Sequence, residues 1–189
     1  DVQKQKYLPG VCRGELIGSY GMTEPDSGSD AFSLRTTATK KDGGYVLNGT
    51  KTLVTFATLA DFAVVFAITD PEVGKWGIST FVVDKDTPGF RASRSIEKMG
   101  LRSAPMGELV FEDCLIPEEN RIGPEGAGAS IFNSSQELER AVILASHLGT
   151  MERQLEQAIE YANGRRQFGQ SIGKFQAVSN RIADMKVRL

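Results

Sequence analysis

One histidine, two cysteines and one tryptophan stand among 189 residues. With only His147, every site built on two histidines is excluded, the HExxH zinc type included. Cys12 and Cys114 lie far apart and form no CxxC pair, which fits a reducing compartment better than a disulfide framework. The expected location is cytoplasmic, or the mitochondrial matrix if the source is eukaryotic. The longest wholly apolar run, Phe62 to Ile68, is too short to span a bilayer, and no signal-peptide pattern is read at the start. A net charge of −2 leaves no basic footprint for nucleic acid. No metal site is expected. What remains, 40% hydrophobic and 24% charged residues, is the composition of a folded globular chain.

All seven prolines precede residue 126. Charge divides there too, with −4 over residues 1–125 and +2 over 126–189. In the first part, Asp61 to Thr69, Ile78 to Val83 and Leu109-Val110-Phe111 are short apolar runs bounded by turn residues, the last ended by Glu112-Asp113. They read as buried strands. Asn48-Gly49, between β-prone runs, reads as a hairpin turn. Five or more such strands imply a sandwich or small barrel. After Gly123-Pro124-Glu125-Gly126-Ala127-Gly128, read as a flexible helix lead-in, proline vanishes. Ile131, Leu138, Val142, Leu155, Ile159 and Ala162 keep helical spacing. About 34 residues would make a continuous rod on the order of 50 Å. A second helix begins near Lys174, with Phe175, Val178, Ile182 and Met185 on one face. It carries no C-cap signal before Leu189, so a longer helical bundle is expected. The fold class is therefore α+β and multidomain. Residues 1–19 lead in, 20–125 form a β-sandwich or barrel-like domain, and 126–189 form part of an antiparallel helical bundle.

Few motifs carry chemistry singly. The segment Tyr20 to Asp30 is dense in turn formers and hydroxyls; it reads either as a surface loop or as a backbone cradle for a hydrogen-bonding cofactor. Arg165-Arg166-Gln167-Phe168-Gly169 reads either as a basic helix end with a glycine breaker or as a guanidinium site for phosphate. Glu139 has no cation at helical spacing and shares a face with Ile143. A carboxylate at an apolar edge would suit a general base. His147 reads as a packed or half-exposed side chain.

The order of these segments is more specific than any one of them. Met22-Thr23-Glu24-Pro25-Asp26-Ser27-Gly28-Ser29-Asp30 is followed by Tyr45-Val46-Leu47-Asn48-Gly49-Thr50-Lys51 and Lys98-Met99-Gly100. Then come Leu109 to Asp113, Ile116-Pro117, Arg165 to Gly169 and Phe175-Gln176. In that order the chain resembles the acyl-CoA dehydrogenase family from about Tyr20 to Leu189. The resemblance covers the family's middle β-domain and the first two helices of its C-terminal bundle.

That resemblance implies FAD-dependent oxidation of the Cα–Cβ bond of an acyl thioester, carried on CoA or on a carrier protein. Tyr20, Met22, Thr23, Gly28 and Ser29 would line the flavin, with Ser29 also reaching the substrate. Leu53, Val54 and Thr55 stand where the family usually has Trp-Ile-Thr, so an aromatic wall becomes aliphatic. Arg165, Gln167, Phe175 and Gln176 would meet FAD held in a neighbouring subunit, which implies a homodimer or homotetramer. Glu139 would be the base, with Arg140 beside it on the substrate side; many members instead place the base later in the C-terminal domain. Electrons would pass to an electron-transfer flavoprotein or similar acceptor. A flavin oxidase or monooxygenase, or a non-catalytic scaffold, are the alternatives on the same fold.

Overall fold

The computed structural model describes residues 2–93 and 95–189. They form two compact units, one reaching to Asn133 and one from Ser134 to Leu189.

The first unit opens with helix α1 (Val2–Cys12), followed by strands β1 (Gly18–Gly21), β2 (Thr37–Lys41), β3 (Gly44–Thr55) and β4 (Phe62–Ile68). β5 (Ile78–Asp84), β6 (Phe90–Ala92), β7 (Met106–Pro117) and β8 (Arg121–Ile122) complete the sheet. Its order is β6-β7-β3-β2-β4-β5-β8, and β1 pairs in parallel with β4. β2 and β4 meet at a single pair, Thr37 with Ile68. The sheet is thus two leaves, β6-β7-β3-β2 and β1-β4-β5-β8, joined at one rung. Ala38, Tyr45 and Leu47 from the first leaf pack with Val65, Phe81 and Val83 from the second in one core. Alternation sends Phe66 and Ile78 the other way, into a smaller cluster with Met22 and Leu34. β5 is therefore buried on both faces, its polar Ser79 and Thr80 included, as expected of a buried strand. The sandwich expectation holds.

The hairpin lies elsewhere than Asn48-Gly49. β3 runs through that pair, and the turn is Asp42-Gly43, between Lys41 and Gly44. Asp-Gly is as strong a turn signal as Asn-Gly, and Gly43 takes a left-handed φ of 81°. Asn48-Gly49 instead faces a bulge on β7, where Glu112 and Asp113 together oppose Asn48 and Asp113 takes a left-handed φ of 48°. The Asn48 amide donates to Asp113 Oδ1 at 3.2 Å, and its Oδ1 accepts from the Asp113 N–H at 2.8 Å. The side chain replaces the interrupted ladder, so β7 continues through Glu112-Asp113 rather than ending there.

The lead-in residues are anchored. Tyr7 packs on Phe62, with ring centroids 4.6 Å apart, and its hydroxyl donates to Asp84 at 2.9 Å. The segment before the second helix is fixed as well, not flexible. Tyr45 donates to Glu125 at 2.6 Å and accepts from Arg121 at 2.7 Å. The Gly126 N–H donates to Ser79 at 2.9 Å. A Cβ at Gly126 would strike the Trp76 carbonyl, and one at Gly128 would sit 2.6 Å from the Ile78 carbonyl. These glycines allow close packing of the strand-to-helix crossing.

Helix α2 (Gly128–Val142) starts in the first unit and continues into the second. The continuous rod is broken at Ile143-Leu144, and α3 (Ala145–Gly164) follows. The Ser146 hydroxyl donates to the Ile143 carbonyl at 3.1 Å, while the Leu144 carbonyl accepts from both His147 and Leu148 N–H groups. A local hydroxyl and a shared acceptor thus compete with the i→i−4 ladder. The short hairpin β9 (Arg166–Gln167) and β10 (Gln170–Ser171) leads to α4 (Gln176–Arg188). Gly173 sits against the Ala162 carbonyl near the end of α3, while Met185 shares a cleft with Met151 and Leu155. α4 therefore returns antiparallel to α3.

At Gly49, φ is 147° and an added Cβ would lie 2.7 Å from Thr36 Cα. Gly49→Ala should lower stability by about 1–3 kcal/mol through strain and overpacking. At Gly28 no atom lies within 4 Å of such a Cβ, so Gly28→Ala should stay within about 0.5 kcal/mol of the parent. Urea unfolding of both variants checks the contrast.

Candidate functional site

The loop between β1 and β2 turns tightly at Glu24-Pro25-Asp26-Ser27. Glu24 and Ser27 exchange backbone hydrogen bonds of 2.9 and 3.1 Å, and the Ser27 hydroxyl donates to the Asp30 carbonyl at 2.7 Å. Arg35 pairs with Asp26 at 2.8 Å on the rim.

The side chain that organises the loop is Glu24. Its carboxylate accepts from the Arg35 N–H at 2.6 Å, the Thr36 N–H at 3.1 Å and Lys51 Nζ at 2.7 Å. Lys51 also donates to the Met22 carbonyl at 3.2 Å. Both side chains are buried, at 0% exposure for Lys51 and 4% for Glu24. Burial pulls the Lys51 ammonium down to about 8 against the opposing pull of Glu24. For Glu24, burial pushes upward, but the Lys51 charge and the hydrogen bonds outweigh it and hold the carboxyl below its usual range. Sequence reading quoted both residues inside motifs and gave neither a role. The signal was available: Lys51 is in phase with Tyr45 and Leu47 on β3 and lies opposite core Leu109. Alternation thus sends a lysine inward, where it needs an anion.

A second tie joins loop to strand, as the Thr52 N–H donates to the Thr23 carbonyl at 2.9 Å. Just beyond it β3 bulges. Leu53 adopts φ 55° and Phe56 φ 61°, and the Phe56 N–H reaches the Pro105 carbonyl at 2.7 Å. The bulge turns Leu53 outward, 55% exposed, between buried Lys51 and buried Val54.

The structure thus brings Thr23 beside the bulge that carries Leu53 and Thr55. Tyr20 stands at the end of β1, half-exposed, its ring edge-on to Phe66 at 5.3 Å. Met22 and Val54 have their side chains committed to the two cores, so only their backbones can face a ligand. Gly28 and Ser29 are exposed on the loop. Among the described residues the hydroxyls of Thr23, Ser29 and Thr55 have no protein partner. Exposed apolar groups next to unspent hydroxyls fit a flat heterocycle with a hydrogen-bonding edge.

In the second unit, Arg165 opens the β9–β10 hairpin with its N–H on the Tyr161 carbonyl and its own carbonyl on the Ile172 N–H. Its guanidinium and the Gln167 side chain are exposed, and Gln167 donates to the Arg166 carbonyl at 2.8 Å. Phe175 meets Phe168 edge-to-face at 6.1 Å, with Gln176 exposed next to it. These residues form one small cluster around the hairpin. Glu139 is exposed, as are Ile143 and Arg140. The apolar edge expected around Glu139 is open to solvent in this chain, and its carboxylate accepts from the Gln136 amide at 3.0 Å. That partner is a neutral amide at i−3 and not a cation.

Among the described residues no group of three acidic, cysteine or histidine side chains could hold a metal, and no helix is long and apolar enough to cross a membrane. Burial pushes the Cys114 thiol up to about 11, which leaves it unreactive.

Residues 19–114 match the acyl-CoA dehydrogenase middle domain, and residues 126–189 match the acyl-CoA dehydrogenase C-terminal domain. The chain is 50% identical to an L-prolyl-[peptidyl-carrier protein] dehydrogenase of Pseudomonas fluorescens over 98% of its length and 49% of the relative's. Among solved structures, the prolyl acyl carrier protein oxidase AnaB matches with a TM-score of 0.85 and 53% identity, over 100% of this chain and 50% of that one. PigA with FAD and proline matches with a TM-score of 0.83 and 44% identity, over 100% and 49%. The chain thus spans about half the length of the relatives it matches. With its two-leaf β-body, its bulged third strand and its antiparallel helices, it belongs to the acyl-CoA dehydrogenase family.

Proposed function

We propose that the protein to which this chain belongs is an FAD-dependent dehydrogenase that introduces a Cα–Cβ double bond into an acyl thioester. The observation that carries this reading is the surface made by the Thr23 loop locked onto the Leu53–Thr55 bulge. It offers hydroxyls and an exposed apolar side chain at the places where the family lines its flavin. The cofactor, when bound, supplies the acceptor for the hydride leaving Cβ. The chain's own residues do the rest. Thr23 and Thr55 hydrogen-bond the ring edge, and Leu53 covers a ring face. Ser29 and Arg140 bind on the substrate side. Glu139 removes the α-proton, its carboxylate oriented by Gln136. Arg165, Gln167, Phe175 and Gln176 hold the phosphate and adenosine part of FAD in a second subunit, so the assembly is a homodimer or homotetramer. The substrate class is a small acyl thioester on CoA or on a carrier protein; the similarity to prolyl-carrier enzymes favours the carrier. An electron-transfer flavoprotein takes the electrons onward.

One observation favours a second reading, since AnaB, 53% identical, is described as an oxidase. In that case oxygen replaces the flavoprotein acceptor, and turnover in air yields one peroxide per product. Peroxide assay during turnover separates the two.

Two substitutions in the full-length protein test the site. Glu139→Gln keeps shape and hydrogen bonding but removes the proton acceptor. It should leave FAD bound and slow anaerobic flavin bleaching by substrate by about 10²–10⁴-fold. Near-parental bleaching would place the base elsewhere in the C-terminal domain. Arg165→Ala removes a charge-assisted phosphate contact of roughly 1.5–3 kcal/mol and should weaken FAD retention by about one to two decades. Equilibrium dialysis against FAD reads this directly. Parental FAD retention with slow turnover would show Arg165 misassigned.

A further inference from the structure

We propose that Lys51 and Glu24 are positioning residues for the bound flavin, which hold the loop so that Thr23 presents its free polar groups to the ring edge. The proposal rests on the flavin reading above and deepens it.

Three facts carry it. First, the pair closes on the loop itself and on no other part of the body. Lys51 Nζ takes the Met22 carbonyl and the Glu24 carboxylate, the two residues that flank Thr23. Second, the loop's inward hydrogen-bonding groups are consumed apart from the buried Thr36 hydroxyl, which has no partner among the described residues. The Thr23 carbonyl accepts from Thr52, Glu24 exchanges both backbone bonds with Ser27, and its carboxylate holds the Arg35 and Thr36 N–H groups. Neither the N–H nor the hydroxyl of Thr23 has an acceptor among the described residues. The pair therefore turns the carbonyls and carboxylate around Thr23 inward, while the Thr23 N–H and hydroxyl stay open to a ligand, as does the exposed hydroxyl of Ser29 further along the loop. Third, Lys51 precedes the bulge by one residue. Thr52 ties to Thr23, and Leu53 takes the left-handed turn that sets it outward. One buried ammonium thus fixes the loop and the strand from which both faces of the candidate site arise.

A purely structural pair would serve equally well as an apolar one, since buried ion pairs can often be replaced by hydrophobic residues without loss of stability. A positioning pair would not, because apolar packing has no preferred direction for the Met22 carbonyl or the Glu24 carboxylate. The test uses the full-length protein and its double variant Lys51→Met/Glu24→Gln, with Glu24→Asp as a milder change that keeps the charge but shortens the reach. Three readouts are taken: thermal midpoint of the apoprotein, FAD affinity by titration of the apoprotein, and visible circular dichroism of the bound flavin. The double variant should unfold near the parent's midpoint, bind FAD at least about tenfold more weakly and show an altered flavin dichroism. Glu24→Asp should fold and show the same changes to a smaller extent. Parental affinity and dichroism in a folded double variant would overturn the proposal, as would parental values in Glu24→Asp if the double variant does not fold. If the parent itself binds no FAD, the flavin reading fails first and the proposal falls with it. Failure of the pair alone leaves the parent's FAD binding intact.

Discussion

A lysine placed inside a β-body constrains everything near it. The ammonium of Lys51 leaves water only because a carboxylate and a carbonyl meet it there. Glu24 in turn is tolerated because two backbone N–H groups complete its coordination. Removing one partner from such a pair costs about 3–5 kcal/mol, since the other stays buried and uncompensated. That sensitivity makes the loop geometry a consequence of the core. The chain cannot move residues 22–36 without exposing or orphaning a charge. A site built on this loop inherits the rigidity of the sheet, although it lies in an irregular segment.

The two bulges of the β3–β7 pair, one on each strand, follow a related logic. A regular pair would alternate through Glu112-Asp113 on β7 and Thr52-Leu53 on β3 and would keep an unbroken ladder. Two irregularities change which residues face out. At the first, the Asn48 side chain makes the bonds that the backbone forgoes. At the second, Leu53 accepts a left-handed conformation that costs a non-glycine residue on the order of 1–3 kcal/mol. That strain lies beside the Thr23 loop, where the Leu side chain reaches solvent while Val54 returns to the core.

Much of the body was legible from residue patterns. The apolar runs at 62–68 and 78–83 became β4 and β5, because a strand buried on both faces needs no alternation. The family motifs, taken in order, identified the middle and C-terminal domains. The hairpin was misplaced since two glycine turns compete within eight residues, and periodicity alone does not reveal which pair a neighbouring strand interrupts. The helical rod was read as continuous because a hydroxyl competing for a carbonyl leaves no mark on apolar spacing. Glu139 shows a different gap. Its expected apolar edge depends on what covers Ile143, and helical spacing does not specify the covering element. Glu24 looks turn-like in sequence, and alternation along β3 turns Lys51 inward without naming its partner, so only the folded loop shows that they meet.

The single rung between Thr37 and Ile68 gives the β-body a mechanical character. Two stiff plates that share one backbone rung can shear along that line more easily than within either plate. Glu24 follows β1 of one leaf, and Lys51 belongs to β3 of the other. The Thr36 N–H reaches Glu24, while the Thr36 carbonyl accepts from the Ile68 N–H. The loop is therefore a strut across the seam. A rigid planar molecule seated against Thr23 and Leu53 would brace both plates at once, so occupancy of the loop would be felt as a change in the compliance of the whole β-body.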